Sequence, residues 1–557
     1  MRVRRPESPL ITMPARISRA AADAAVLLAL AACAGRTPAQ PGGPGVADRY
    51  DVLVAGGTVV DGTGAPGYRA DVALRGDRIV RISRRPLDRS RAARVVDATG
   101  RVVAPGFIDT HAHIESILRM RGAESSVRQG VTTIFGGQDG DSPWPLAAAY
   151  DSVDAGGAGL NVGYLVGHGT VREMVMGLAD RVPSADELAR MRALVARGMG
   201  EGAWGLSSGL EYVPGAFAHT DEIAALAEAA GDSGGMYSSH IRDEGAGLLG
   251  SIREVIEVAR LGRLTGNVTH MKPSGRRAWG MSGPALALID SARQAGVAVT
   301  MDQYPYTATS TGLSLLVPTW ALADGDSAYA RRAADPVLRD SILRAVATAL
   351  DSTRGGREPA RVQFARVRWD TTLEGRTLQD WAERRSIEPT PANAARLVLE
   401  AMDSGGAGCV YHVILEDDVE RILRHPLTVV ASDGSLSRPG LGHPHPRAYG
   451  TFVRVLGRYV RERRALSLEE AVRRMTGLPA ERLGIPQRGR LAEGWYADVV
   501  VFDPATVRDA ATFERPHQYA AGVDYVIVNG SFTVDGGAST GALPGRALRH
   551  VSRRPHG

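Results

Sequence analysis

Ala104-Pro105-Gly106-Phe107-Ile108-Asp109-Thr110-His111-Ala112-His113 closes an apolar run with two histidines two positions apart. Residues i and i+2 of a strand project to the same side, so both imidazoles can reach one metal ion. Taken bare, such a pair is as readily two surface or internally satisfied histidines, and the rest of the chain must decide. Two single histidines end strand-like runs further on, His240 after Tyr237-Ser238-Ser239 and His270 after Asn267-Val268-Thr269. Their separation is about one strand-helix unit, and in a barrel of parallel strands the carboxyl ends of neighbours converge on one face. Two ordinary buried histidines are the competing reading. Val429-Val430-Ala431-Ser432-Asp433-Gly434 then puts a carboxylate at the end of another apolar strand. It could ligate metal and move a proton, or cap the turn that follows.

Around these motifs, strand-like runs at 236–241, 267–271, 298–303 and 427–431 alternate with helical runs at 185–197, 221–230, 249–261 and 285–295. That alternation predicts parallel βα units and so an α/β chain, for which the family resemblance given below implies a (β/α)8 TIM-type barrel over 105–484. The stretch 315–417 is longer and more charged than one such step requires and reads as an insertion into the barrel. Short strands at 51–54, 58–61, 72–75 and 79–82 recur in texture at 497–502, 525–529 and 531–534. They predict a small β-sandwich built from both chain ends, 50–104 with 485–545.

The 557 residues are 44% hydrophobic and 23% charged, which excludes global disorder. A formal charge of +5 carries no basic run interleaved with aromatics, so no nucleic-acid partner is expected. Lys272 is the only lysine among 66 basic residues. Its survival two residues past His270 is either chance or a need for a compact ammonium where arginine offers a planar fork. At the start, Arg2, Arg4, Arg5, Arg16 and Arg19 precede an apolar stretch ending in Leu30-Ala31-Ala32-Cys33. The stretch is far shorter than the ~20 residues of a membrane span. It resembles a bacterial lipoprotein signal, 1–33, followed by a Pro- and Gly-rich linker at 34–49. A non-cleaved amphipathic leader is the other reading. The expectation is a periplasm-facing protein of the cell envelope, touching membrane only through a lipidated Cys33, which leaves Cys409 without an intramolecular partner.

Pro105-Gly106-Phe107-Ile108-Asp109 ahead of the paired histidines resembles the first barrel strand of the amidohydrolases. The segments WGLSSGLEYVPG from Trp204, DQYPYTATST from Asp302, HPHPRAYGTF from His443 and GALPGRALR from Gly541 resemble the N-acyl-D-amino-acid deacylase branch. The resemblance runs through nearly the whole chain after the linker. It implies one or two Zn2+ ions, with His240 and His270 holding the tightly bound zinc and His111, His113 and Asp433 around a second position. It also implies Asp433 as acid/base, and Lys272, Arg447, Tyr304 and Ser310 gripping the carboxylate of a small N-acyl-amino-acid substrate. The expected reaction is hydrolysis of that amide by metal-activated water. One departure stands out: where the branch has a zinc-ligating cysteine after the second strand, this chain carries Asp139, a harder and weaker ligand. Glu211 is the other carboxylate in reach of a bridging role. A D-residue dipeptidase, a cyclic amidase of the hydantoinase or dihydroorotase type, and a non-catalytic peptide-binding lipoprotein are the rival readings. A mere binder has no need of all five of His111, His113, His240, His270 and Asp433.

Overall fold

In the computed structural model, which describes residues 49–355 and 357–551, the middle of the chain is organised by strands buried on both faces. They are Phe107–Asp109 (β1), Val131–Gly136 (β2), Asn161–Tyr164 (β3, carried on by Val166–Gly167), Gly205–Gly209 (β4), Met236–His240 (β5), Gly266–Val268 (β6), Val299–Gln303 (β7) and Thr428–Val430 (β8). Such strands read as near-continuous apolar or small-residue runs because neither face meets water. All pair in parallel in chain order: β1 with β2 and β2 with β3, then Val166–Gly167 with β4, and so on to β7 with β8. Just beyond the two ends of this series, Ala112–His113 pairs in parallel with Gly434–Ser435, which brings together the segments that follow β1 and β8.

The connecting helices Ala185–Gly200, Thr220–Gly231, Leu248–Leu261 and Ser282–Gln294 lie where the periodicity predicts. Leu248–Leu261 buries Leu248, Ile252, Val255, Val258 and Ala259, a stripe at three- and four-residue spacing that packs on the strands. Ser184 and Glu187 close a reciprocal capping box at the start of Ala185–Gly200. β6 stops earlier than expected, at Val268, because His270 takes a left-handed backbone (φ +32°) that ends the extended ladder.

Strands from both chain ends join in one nine-stranded sheet in place of two separately paired layers. The link is Val102–Pro105, which pairs with Tyr50–Val59 on one edge and with Val499–Phe502 on the other. The two halves still share one apolar cluster, with Val54, Val72 and Leu74 meeting Val499, Val501 and Ile527. The runs 51–54 and 58–61 are one strand, not two. A register shift between Val54 and Gly57, with Gly56 at φ +74°, absorbs the Gly56-Gly57 pair between them.

The insertion begins at 309 and not 315. Thr309–Gly312, Val362–Arg366 and Gly408–Tyr411 form an antiparallel sheet with helices Pro336–Ser352 and Pro391–Asp403 packed together beside it. Its core is its own, with Leu316, Ile342, Val346, Phe364, Trp381 and Leu397 buried together. The far boundary also shifts, since Glu416–Arg424 packs on Ser282–Gln294 and β8 through Val419, Ile422 and Leu423. Cys409 is buried in the insertion's central strand, and burial pushes its thiol up to about 12, so it carries no thiolate at neutral pH. The leader, Cys33 and the linker before Arg49 lie outside the described residues.

Candidate metal centre

The carboxyl ends of the parallel strands carry the predicted ligands and bring them together. After β2 the chain turns at Gly137 and delivers Asp139 in a left-handed conformation (φ +54°). The turn is possible because β4 ends in Gly209, where a Cβ would stand 2.1 Å from the Asp139 carbonyl oxygen. β1 ends at Asp109, whose carboxylate accepts the backbone N–H groups of Ser432 (2.9 Å) and His111 (3.3 Å). It thereby ties the ends of β1 and β8, and burial raises its carboxyl to about 6. His111 and His113 therefore do not share one strand as predicted. They follow β1, His111 fully buried and His113 partly exposed on the short pairing with Gly434–Ser435.

Asp139 is the common neighbour. Its oxygens lie 3.3 Å from His111 Nε2, 3.5 Å from His113 Nε2, 3.8 Å from His240 Nδ1 and 3.6 Å from His270 Nε2. Asp433 Oδ1 closes one side at 3.1 Å from His113 Nε2 and 3.6 Å from His111 Nε2. Among the described residues three groups of ligating atoms result, each within 4.8 Å: His111, His113, Asp139 and Asp433; Asp139, His240 and His270; and Glu211, His240 and Glu244. Glu211 stands in the third and not between the first two. It meets the far nitrogen of His240, Nε2, at 2.9 Å, and Arg354 occupies its other side.

The donor set suits divalent zinc. Among the described residues, both nitrogens of His111 and Oδ1 of Asp139 are buried without a hydrogen-bond partner, and each such group costs about 1–3 kcal/mol if left unsatisfied. His240 Nδ1 and His270 Nε2 face each other at 2.9 Å, and a shared cation satisfies both lone pairs. Each of these two histidines also has a carboxylate behind it, Glu211 at His240 and Glu244 at His270 (Oε1 to Nδ1 3.1 Å). Outer carboxylates of this kind orient the imidazole and raise its basicity. Burial opposes a charge on His240, but Asp139 and Glu211 outweigh it and raise the imidazole to about 9.

Sequence reading missed Glu244 and Arg354. Glu244 stands four residues past His240 in the same strand-end loop and is buried, a signal that an acid in His240-Ile241-Arg242-Asp243-Glu244 offered. Nothing local marks Arg354. Lys272 reaches the site but is already engaged: its ammonium is paired with Glu244 and lies 2.8 Å from His270 Nδ1. Arg447 donates to Asp433 Oδ2 (2.7 Å) and to the Ser310 carbonyl (3.2 Å). Tyr304 sits between these cations, 4.6 Å from the Arg447 guanidinium and 5.5 Å from Lys272 Nζ. Burial pushes its phenol up to about 12, so it stays a donor, and its hydroxyl has no partner among the described residues. Burial alone would raise Asp433, but Arg447 and the histidines outweigh it and hold the carboxyl well below the usual range. All these groups open on one cavity of about 950 Å³, large enough for a small molecule. His445 lines it too, whereas His443 is turned to the Phe513 carbonyl and His168 to Glu222.

The model of the amidohydrolase family matches residues 94–534. The chain belongs to that family. A D-aminoacylase of Alcaligenes xylosoxydans xylosoxydans is 37% identical over 527 residues, covering 90% of this chain and 98% of the relative. An N-acyl-D-glutamate deacylase of the same organism is 38% identical, covering 90% and 97%. Among solved structures, an N-acyl-D-glutamate deacylase from Bordetella bronchiseptica, complexed with zinc and a phosphonate mimic of the tetrahedral intermediate, superposes with a TM-score of 0.77. It is 34% identical over 90% of this chain and 100% of its own.

If Asp139 is the shared ligand of this amidohydrolase centre, Asp139→Ala should lower the zinc content of purified protein at both positions, while Asp139→Cys should keep at least one ion bound. Elemental analysis after gel filtration reads both. Full zinc content in the alanine variant would remove Asp139 from the centre.

Proposed function

We propose that this amidohydrolase cleaves the amide bond of N-acyl-D-amino acids, releasing a carboxylate and the free D-amino acid. The observation that carries the reading is an ionised Asp433 facing both the paired histidines and Arg447 at the mouth of a metal-ligating cluster. Zinc bound by His111, His113, Asp139, His240 and His270 would supply a Lewis acid for the scissile carbonyl and a water of lowered pKa. The remaining work falls to side chains. Asp433, kept ionised by Arg447, accepts the proton of the attacking water and returns it to the amine, which cannot leave as an anion. Arg447 and the unpartnered Tyr304 hydroxyl offer the substrate carboxylate a cation and a donor beside the reacting carbon, with Ser310 on the same wall. Lys272 contributes through Glu244 and the field it adds.

We read the eight parallel strands as the staves of a (β/α)8 barrel over 105–484 carrying the site at their carboxyl ends, as barrel enzymes do. The sheet from 50–104 and 485–545 is then a sandwich-like partner domain. D selectivity and zinc are supported by the relatives, whose names specify N-acyl-D substrates and, in one structure, zinc. We also assign the protein to the bacterial envelope, facing the periplasm and anchored through lipidated Cys33. Leu30-Ala31-Ala32-Cys33 supports this, and no helix among the described residues is long and apolar enough to cross a membrane.

Two experiments test these readings. With matched N-acetyl-D and N-acetyl-L amino acids, protein starting at Ala34 and loaded with zinc should release amino acid from the D series alone and stop with chelator. Asp433→Asn should lower kcat by about 10²–10⁴-fold, the range of a lost general base. Turnover of dipeptides or cyclic amides in place of both series would redirect the reading. In cells, Cys33→Ser should move the protein from the membrane fraction to the soluble fraction, and unchanged membrane recovery would reject the anchor.

A further inference from the structure

The insertion sends one side chain into the metal centre. Arg354 follows the helix Pro336–Ser352, is 5% exposed, and donates through Nη2 to both oxygens of Glu211 at 2.6 Å. Its Nη1 lies 3.4 Å from Ser274 Oγ, and Nη2 is 3.9 Å from Glu244 Oε2. The guanidinium therefore stands between the partly exposed Glu211 and the buried Glu244, two carboxylates that would otherwise repel each other. Glu211 in turn accepts from His240 Nε2 at 2.9 Å, which leaves His240 Nδ1 facing His270 and Asp139. An unbroken line of contacts thus runs from the insertion through Arg354, Glu211 and His240 to the metal position.

The backbone is shaped for this approach. Gly275, at φ +83° in the loop after β6, lies under the Arg354 segment, and a Cβ there would meet the Thr353 carbonyl oxygen at 2.6 Å and Thr353 Cα at 3.1 Å. The insertion has its own apolar core without Arg354. Burying that charge is costly unless it is paired, and its acidic partners are in the centre, not in the insertion.

We propose that Arg354 is a positioning residue of the metal centre: seating the insertion on the loop after β6 clamps Glu211 against His240 Nε2 and so fixes the imidazole with Nδ1 toward the metal. This rests on the metal-dependent reading above. Its consequence is that zinc affinity, and not only substrate affinity, depends on the insertion being seated. Outer partners of metal-bound histidines are typically worth about 10–100-fold in metal affinity.

The test is zinc affinity by competition with a chromophoric chelator, for wild type, Arg354→Gln, Arg354→Lys, Glu211→Gln and the Arg354→Gln/Glu211→Gln double variant. Arg354→Gln and Glu211→Gln should each weaken zinc binding at least tenfold. The double variant should be no weaker than the worse single one, because both cut the same line of contacts. Amide exchange should also quicken at residues 353–355 in Glu211→Gln. Zinc affinity within twofold of wild type in Arg354→Gln, with a raised KM, would make Arg354 a substrate contact and overturn the proposal. Should Arg354→Gln lose its cooperative thermal transition, Glu211→Gln and Arg354→Lys decide, and wild-type affinity in Glu211→Gln overturns it equally. A wild type that binds no zinc would sink the metal reading itself and the proposal with it.

Discussion

Asp139 sets the terms for the rest of the centre. Its carboxylate lies 3.3–3.8 Å from four imidazole nitrogens. A carboxylate this deep costs several kcal/mol in desolvation unless its surroundings return the charge it loses. Here the histidines hold it well below the usual carboxylate range. Because it serves His111 with His113 and His240 with His270, the two ligand groups it joins are one construction, and Asp433, Glu211, Glu244, Arg447 and Arg354 are arranged around it as alternating charges.

The scaffold is built to hold that arrangement in place. Asp139, His240, His270 and Asp433 all lie at the carboxyl ends of parallel strands, and Asp109 ties the ends of β1 and β8 through two backbone N–H groups. Three of the site residues, Asp139, His270 and Asp433, have positive φ. Left-handed backbone costs an L-residue about 1–3 kcal/mol and persists only where packing over-determines it. The close approach of Gly209 to the Asp139 carbonyl and the pairing of Ala112–His113 with Gly434–Ser435 supply that constraint.

Much of this was legible in the sequence because the chemistry sits where periodicity stops. His240, His270 and Asp433 each end a strand-like run, so the same pattern that locates the strand locates the ligand. Asp139 was found as the residue replacing an expected cysteine, but its central position was not, since sequence spacing cannot tell a bridging oxygen from a terminal one. Glu211, read as the other carboxylate in reach of a bridging role, stands behind His240 at its Nε2. Glu244 and Arg354 escaped because their role is defined by what they touch across the fold, Arg354 meeting Glu211 from 143 positions away. The insertion's start at 309 was also hidden, as Thr309–Gly312 continues a motif that reads as part of the strand-end loop.

The most direct test of a carboxylate-bridged centre is zinc X-ray absorption on protein starting at Ala34, loaded with one and then two equivalents. The account predicts nitrogen and oxygen ligands only, with outer-shell imidazole scattering, and at two equivalents a zinc–zinc distance of about 3.5–4 Å. A sulfur scatterer near ~2.3 Å, or a second zinc with no metal neighbour, would contradict it.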